Sequence, residues 1–371
     1  MRILINAVSA VAGGGMTYLV NLLKYLPAMM SEDSFLVVIQ GIELPQELYK
    51  QPNLEIRKIA DSIGSNNILK RYWWENTGLI KLCKRWKADV LYCIANMAPI
   101  VPVGIPTVTL LQNVAPITPR VFSALFRTEG FKPCLRMAAN ALLTLYAAAR
   151  SNKMLVLSKS SDELLRKWIP FCKTEIVPHG ISTHFTPNVP RPVKAGNEPY
   201  FIFVSNIYVY KGLEYIVEAY KCNRELPHIF IVGQAFDKNY EKRIKENIKE
   251  YGLENKIIFL SSLPYSELSG WYANAIANVF PTWCESFGCG IIEAQACGCP
   301  VVGFKTVTLP ELCSVQELLA EKITGESLAK AMEKSIKISK SNDIRNEITE
   351  QARQYTWERA MGILKGVLKE Q

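Results

Sequence analysis

Short, β-prone apolar runs alternate with helical stretches along almost the whole of this 371-residue chain. The first run, Arg2 to Val8, leads into three glycines, and leucines then recur three and four positions apart from Leu19 to Leu26. That spacing places the leucines on one face of a helix. Strands that alternate with helices in this way form a parallel sheet that helices cover on both faces. The sequence therefore predicts a doubly wound α/β fold.

The same pattern continues to the end of the chain with one interruption. Four prolines and a glycine fall between Thr186 and Pro199, a composition typical of a linker. We therefore expect two domains of ordinary size, residues 1–190 and 197–350, followed by a helical tail, 351–371. Further strands are predicted at 35–40, 54–59, 89–95, 107–111, 154–157, 175–177, 200–205, 228–233, 256–260 and 275–281, and helices at 68–86, 161–168, 212–220, 239–251 and 266–273.

Positive charge is concentrated in the first half of the chain. Residues 1–190 hold 21 Lys and Arg against 12 Asp and Glu, whereas residues 191–371 hold 22 of each, and the net charge is +9. An anionic membrane surface or an anionic acceptor fits this asymmetry, whereas nucleic acid is not expected because no known binding motif accompanies the charge. The cations Arg120, Arg127, Lys132 and Arg136 are interleaved with Phe122, Leu125, Phe126 and Phe131. This segment is either an interfacial helix on anionic lipid or a solvated helix face packed on its own core.

The cysteines indicate the compartment. Ten are present without any CxxC pair, which favours a reducing cytosol over a secreted disulfide framework. Cys284, Cys289, Cys297 and Cys299 crowd one region, but their spacing matches no common metal site, and we expect no metal. No run approaches the roughly 20 apolar residues of a membrane span. We expect a cytoplasmic protein, with peripheral contact at the inner face of the membrane left open.

The stretch from Thr282 to Ala294 carries the clearest functional signal. An apolar run is followed by a turn that contains Gly288 and then by a stretch of helical character, and the first N–H groups of such a helix suit an anion. Two carboxylates, Glu285 and Glu293, lie eight positions apart beside that turn. Carboxylates repel a phosphate but accept hydrogen bonds from hydroxyls. The stretch therefore predicts a site for a nucleotide sugar or a sugar phosphate.

The Glu-x7-Glu pattern, followed by Gly298-Cys299-Pro300-Val301-Val302, resembles the donor site of retaining glycosyltransferases of family 4, also called group 1. Lys211-Gly212 and Pro310-Glu311 are similar to further motifs of that family. The resemblance covers nearly the whole length and is strongest over 200–311. It implies the GT-B fold, two doubly wound Rossmann-like domains that face each other across a cleft, with the tail 351–371 crossing back onto the first domain. It also implies sugar transfer from a nucleoside diphosphate to an acceptor hydroxyl, with retention of configuration and no cofactor besides the donor.

The resemblance also implies roles for individual residues. Lys211 would neutralise the departing diphosphate, Glu285 would hold hydroxyls of the transferred sugar, and Glu293 would hold the ribose. Backbone N–H groups near Phe287-Gly288 and Gly14-Gly15 would face the phosphates. No metal is expected to take part.

Four positions depart from the family pattern. Asn206 replaces the usual Arg and Gln112 the usual His, and both amides are still expected to contact the donor. His179 replaces the usual Asn, and we expect it to have a structural role. The loop 303–309 lacks the usual glycines.

Two other functions stay open on the sequence. A nucleotide-sugar epimerase on the same fold would need a base near the sugar, which the amide of Gln112 does not offer. A non-catalytic nucleotide-sugar-binding protein is favoured by Asn206 and by the altered loop 303–309. If the chain is a transferase, its basic first domain would take a glycan or lipid-linked acceptor, as in synthesis of cell-surface polysaccharide or lipopolysaccharide. The sequence names neither the base, the sugar nor the acceptor.

Overall fold

The computed structural model describes residues 1–11, 13–60, 68–260 and 262–371. These residues group into two compact units. The first unit contains Met1–Ile117, Met137–Gly180 and Thr356–Gln371, and the second contains Thr118–Arg136 and Ile181–Tyr355. The segment Thr118–Arg136 thus groups with the second unit although it precedes the proline-rich stretch in the sequence.

Each unit is built on one parallel sheet. In the first unit the strands are β1 (Arg2–Asn6), β2 (Ser34–Ile39), β3 (Leu54–Lys58), β4 (Val90–Cys93), β5 (Thr107–Leu111), β6 (Lys153–Val156) and β7 (Thr174–Ile176), in the order β3-β2-β1-β4-β5-β6-β7. In the second they are β8 (Phe201–Val204), β9 (Ile229–Val232), β10 (Ile257–Leu260), β11 (Asn278–Phe280), β12 (Val301–Phe304) and β13 (Leu319–Ala320), in the order β10-β9-β8-β11-β12-β13.

Helices connect the strands of both sheets. They are α1 (Gly13–Met29), α2 (Ile68–Trp86), α3 (Pro119–Glu129), α4 (Phe131–Arg150), α5 (Lys159–Trp168), α6 (Leu213–Cys222), α7 (Lys238–Glu250), α8 (Leu268–Ala273), α9 (Cys289–Ala296), α10 (Leu309–Leu312), α11 (Gly325–Ile338), α12 (Asn342–Ala352) and α13 (Trp357–Lys369). Among the described helices, none combines the length and the apolar character that a membrane span requires.

The strand order reverses once in each sheet, between β1 and β4 and between β8 and β11. In open parallel sheets, ligands bind in the crevice outside the carboxyl ends of the strands at such a reversal. The central strands are buried on both faces, as Ile3, Leu4 and Ile5 of β1 show with no exposed surface. This burial explains why the strands are almost continuously apolar in the sequence. The doubly wound α/β fold predicted from the sequence is confirmed.

The predicted strands are present, with ends that differ by one or two residues in most cases. The largest difference is at 275–281, where β11 covers only Asn278–Phe280. The residues before β11 form a turn at the end of α8, in which the backbone N–H of Ala275 donates to the carbonyl of Tyr272. The basic, aromatic segment 120–136 forms two helices, since Gly130 adopts φ 85° between them.

Side-chain caps fix where several helices begin. The hydroxyls of Thr324, Ser341 and Thr356 accept hydrogen bonds from the backbone N–H three residues on, at the starts of α11, α12 and α13. Each hydroxyl satisfies a donor that the first turn leaves without an intrahelical partner. The carboxyl-terminal helices therefore have locally encoded beginnings.

A substitution at Gly325 can test how closely α11 packs on α6. A Cβ at Gly325 would lie 2.1 Å from Cβ of Glu218, whereas a Cβ at Gly366 on α13 would meet nothing within 4 Å. We expect Gly325→Ala to lower the free energy of unfolding by about 1–3 kcal/mol, because the helices must separate. Gly366→Ala, the control, should leave it unchanged or raise it by up to about 1 kcal/mol. Urea denaturation measures both, and equal effects would show that the helices are not in close contact.

Candidate functional site

The strand β11 and the helix α9 form the core of the candidate site in the second unit. Asn278, the one polar residue within that apolar run, is fully buried, and its Nδ2 donates to the carbonyl of Gly290 at 2.9 Å. The turn before α9 contains Gly288 at φ 99°, where a Cβ would lie 2.7 Å from Cδ1 of Ile291. Glycine is therefore required at this turn. Together these contacts fix the start of α9 beside the end of β11.

A second loop approaches the same strand end from β8. Gly212 adopts φ 73°, and a Cβ there would lie 2.3 Å from the carbonyl oxygen of Pro281. The carbonyl of Tyr210 accepts hydrogen bonds from Oγ1 of Thr282 at 3.2 Å and from the backbone N–H of Trp283 at 3.1 Å. The Lys-Gly loop after β8 is thus held against the loop after β11, at the reversal of strand order.

This approach brings together two residues predicted to act separately. Nζ of Lys211 lies 2.5 Å from Oε2 of Glu285, and their side chains are 11% and 14% exposed. The ammonium also lies 5.3 Å from the ring centroid of Phe280. An ion pair with so little exposure is weakly screened by water and salt. Each partner therefore cancels much of the other's charge at this position.

Glu293 occupies a more buried position in α9. Its residue surface is 7% exposed, and its Oε1 accepts a hydrogen bond from the hydroxyl of Tyr265 at 2.7 Å. Burial raises the pKa of Glu293 to about 7, against the lowering effect of that hydrogen bond. Near neutral pH the carboxyl group is thus available in both protonation states, and it can either accept or donate a hydrogen bond.

Two further predicted residues of this unit lie in the same loops. Asn206 is exposed in the loop that follows β8, next to Gly233 at φ 151°. A Cβ at Gly233 would lie 1.9 Å from the carbonyl oxygen of Ser205, so the loops after β8 and β9 touch through the backbone. Phe287, by contrast, is buried, and its ring packs edge-to-face against Tyr355, with ring centroids 5.8 Å apart.

The remaining predicted residues lie in the first unit. Gly15 faces the amide of Gln112, since a Cβ at Gly15 would be 3.4 Å from its Oε1, and Gly14 has open space around it. His179 packs against the rings of Tyr18 and Trp357, at centroid distances of 5.1 and 5.5 Å. Burial lowers the pKa of His179 to about 4. The imidazole is therefore neutral at physiological pH, which favours the structural interpretation.

Three side chains that shape the site were not predicted as site residues from the sequence. Tyr265 binds Glu293, and the ring of Trp283 lies edge-on to Tyr210 with centroids 6.3 Å apart. Arg120 stacks on Trp283, with Cζ 4.4 Å from the ring centroid. Arg120 is exposed, as are the other cations of 120–136, but it also reaches the loop after β11. No local signal marks these contacts, because each joins residues far apart in the sequence.

The loop 303–309 also reaches this edge. Oγ1 of Thr306 donates to the carbonyl of Thr282 at 3.2 Å, so a side chain of this loop supports the turn after β11. Within the part of the chain that the structure describes, no group of three or more His, Cys, Asp or Glu is placed to hold a metal ion.

Residues 186–355 match the model of the family described as glycosyl transferases group 1. The matched residues make up slightly less than half of the chain. It is 27% identical over 161 residues to a D-inositol 3-phosphate glycosyltransferase of Xylanimonas cellulosilytica, covering 38% of this chain and 39% of that one. It is 31% identical over 106 residues to the O-antigen chain mannosyltransferase B of Escherichia coli, covering 28% of each. The chain thus spans well under half the length of these two relatives.

A likeness over the full length exists at the level of structure. The HepE protein of Anabaena, solved in complex with UDP, superposes with a TM-score of 0.71 at 19% identity, over 100% of both chains. At this level of identity the likeness shows the fold alone. The group 1 family and the GT-B fold that the motifs predicted are confirmed.

The raised pKa of Glu293 should make the free energy of unfolding depend on pH. The unfolded chain releases this proton near its ordinary pKa of 4.5 and the folded chain near 7. Between these values the folded state binds more protons, so Glu293 makes stability fall as pH rises from about 4.5 to about 7. Glu293→Gln lacks this effect, and its stability relative to wild type should increase over that range by roughly 3 kcal/mol.

Urea denaturation at pH 5 and pH 8 measures this difference. The control is Glu333→Gln, which changes an exposed carboxylate of α11 in the same unit. The difference between this control and wild type should hardly depend on pH. A difference for Glu293→Gln that is equally flat would contradict a buried carboxyl group with a raised pKa.

Proposed function

We propose that this protein transfers a sugar from a nucleoside diphosphate donor to an acceptor hydroxyl, with retention of configuration. The observation that carries the proposal is the pair formed by Lys211 and Glu285, 2.5 Å apart at the reversal of strand order in the second sheet. Glu293 lies in α9, the helix that follows the loop containing Glu285. A cation for phosphate and two carboxylates for hydroxyls are the groups that a nucleotide sugar needs.

The ion pair suggests how the donor engages this edge. A sugar hydroxyl that donates to Glu285 replaces part of its interaction with Lys211. The ammonium is then available to the diphosphate, on which negative charge grows as the glycosidic bond breaks. A preorganised cation in a poorly hydrated site stabilises that charge strongly, and this effect is often the largest in catalysis.

Glu293 is proposed to bind the ribose of the donor. Its carboxyl oxygen is held by the hydroxyl of Tyr265, so its position is fixed before a ligand arrives. Ribose hydroxyls donate best to the ionised form, and nucleotide binding should therefore favour proton release from this group. The predicted contacts of Gly14, Gly15 and Gln112 with the donor remain proposals, because these residues belong to the other unit.

The donor and acceptor classes are inferred from the relatives. One relative is named as an O-antigen mannosyltransferase, and the Anabaena protein was solved with UDP and also with UDP-glucose. We infer a hexose donor and a role in assembling a cell-surface glycan. A panel of UDP-, GDP- and ADP-hexoses, screened by thermal shift and then by sugar transfer and donor hydrolysis, identifies the base and the sugar.

Lys211→Ala tests the role of the cation. Loss of one charge-stabilising donor in the transition state should lower kcat by about 100-fold or more. Lys245→Ala is the matched control, because Lys245 lies in the same unit on α7 and pairs with a carboxylate, Glu241, at 2.7 Å. It should keep activity near the wild-type level. A Lys211→Ala variant that folds normally and keeps more than a tenth of wild-type turnover would show that another group stabilises the leaving diphosphate.

We also propose that the segment 126–136 rests on an anionic membrane surface. Its apolar side chains Phe126, Phe131 and Leu135 are 58%, 67% and 61% exposed. Arg127, Lys132 and Arg136 alternate with them and are exposed as well. Exposed aromatic and aliphatic groups among cations suit the boundary between headgroups and acyl chains. A lipid-linked acceptor would be reached from the same surface.

Vesicle sedimentation tests this contact. The protein should bind vesicles that contain phosphatidylglycerol but not pure phosphatidylcholine, because each cation near an anionic surface contributes roughly 1 kcal/mol. Raised salt should release it. Changing the three cations to Gln should weaken binding, whereas the same change at Lys330, Lys334 and Lys337 of α11 removes equal charge and should have little effect. Equal weakening by both triple variants would show that binding depends only on the net charge of the protein and not on this segment.

A further inference from the structure

Arg120 lies in the first turn of α3 and is fixed to the carboxyl edge of the second sheet. Its guanidinium covers the ring of Trp283, in the loop after β11, at 4.4 Å, and its Nη2 donates to the hydroxyl of Tyr215 at 3.2 Å. The residue before its helix is held as well, since Sγ of Cys284 donates to Oγ1 of Thr118 at 3.5 Å. Arg120 therefore reaches the candidate site, although the residue is exposed.

Three cations lie at this edge, and their surroundings differ. Lys211 is paired with Glu285 at 2.5 Å, and Lys305 with Glu321 at 2.7 Å. Among the described residues, no carboxylate lies within ion-pair distance of Arg120. A tryptophan ring and a phenol hydroxyl leave the positive charge of a guanidinium intact. Of the three, Arg120 is the cation whose charge is not balanced in advance.

A nucleoside diphosphate needs more charge than the Lys211 pair offers. The diphosphate of a nucleotide sugar carries two negative charges, whereas Lys211 and Glu285 together are neutral. The related family places an Arg where this chain has Asn206, and an amide supplies no charge. The Lys211–Glu285 pair therefore leaves the charge of the diphosphate unbalanced.

Lys211 and Arg120 each lie over one ring of an edge-on aromatic pair. Nζ of Lys211 is 5.6 Å from the ring centroid of Tyr210, and that ring is 6.3 Å from the ring of Trp283, which Arg120 covers. A guanidinium stacked on a ring keeps its N–H groups directed outward in its plane, where they match two phosphate oxygens.

We propose that Arg120 binds the diphosphate of the donor and supplies the charge that Asn206 does not. This inference rests on the proposed function of the same site. Arg120 contacts the leaving group, so it contributes both to donor affinity and to the stability of the departing diphosphate. The aromatic ring beneath it fixes the guanidinium in place, a role that a lysine at this position would fill less well.

The affinity for a nucleoside diphosphate, compared with that for its nucleoside, isolates the phosphate contact. Calorimetry measures the affinities of wild type and Arg120→Ala for UDP, GDP and ADP. The affinity for each diphosphate is compared with that for its own nucleoside, uridine, guanosine or adenosine. The variant should lose about tenfold or more in affinity for the diphosphate and nothing for the nucleoside, since hydrogen bonds to charged groups are the stronger ones. Arg243→Ala is the control, because Arg243 also lies over a ring of this unit, that of Tyr240 at 5.7 Å. It should change neither affinity.

The double variant Arg120→Ala with Asn206→Arg tests whether the two positions are equivalent. Asn206 is exposed, so an Arg side chain has room there, and it should restore most of the lost diphosphate affinity. A double variant no better than Arg120→Ala would overturn this equivalence. Arg120→Lys should fall between wild type and Arg120→Ala.

The outcomes separate this inference from the proposed function. If wild type binds and turns over a donor while Arg120→Ala does so equally well, the role of Arg120 is overturned and the transferase activity stands. Equal loss of nucleoside and diphosphate affinity in Arg120→Ala would show a structural role only, and would also overturn the inference. If wild type binds none of the three diphosphates, both the inference and the proposed function fail.

Discussion

The backbone contact between Gly212 and the end of β11 is the constraint on which the candidate site depends. A side chain at Gly212 would lie 2.3 Å from the carbonyl oxygen of Pro281, so the two loops approach more closely than any other residue allows. That approach brings Lys211 to Glu285 and presents the carbonyl of Tyr210 to the loop after β11. Without it, the cation and the carboxylate would lie too far apart to form an ion pair.

Burial gives these charged groups their chemical character. Lys211 and Glu285 are largely shielded from water, and Glu293 is buried enough for its pKa to rise to about 7. In such surroundings charges interact more strongly than in bulk solvent. An arriving diphosphate therefore meets groups that are already held in position, and little reorganisation is needed as its charge grows. The charge balance of this edge, more than any one residue, decides what binds there.

The sequence predicted the strands and the Glu-x7-Glu stretch well but not the partners of the predicted residues. Lys211 and Glu285 were assigned to phosphate and to sugar, and their direct pairing across 74 positions was not foreseen. Arg120 was grouped with the exposed cations and is exposed, but its hydrogen bond to a residue 95 positions along the chain was not foreseen. Tyr265 carried no signal at all, since a tyrosine between a loop and a short helix fits many environments.

The sequence by itself determined the secondary structure, the parallel sheets and the kind of groups in the site. Hydrophobic periodicity and glycine turns act over a few residues, so they can be read from the chain directly. Only the tertiary structure decided that Thr118–Arg136 groups with the second unit, that Lys211 meets Glu285, and that Glu293 is buried under Tyr265. These outcomes depend on which strands are neighbours and on how much water each side chain loses. Both follow from packing over the whole sheet, and neither is encoded in any one segment.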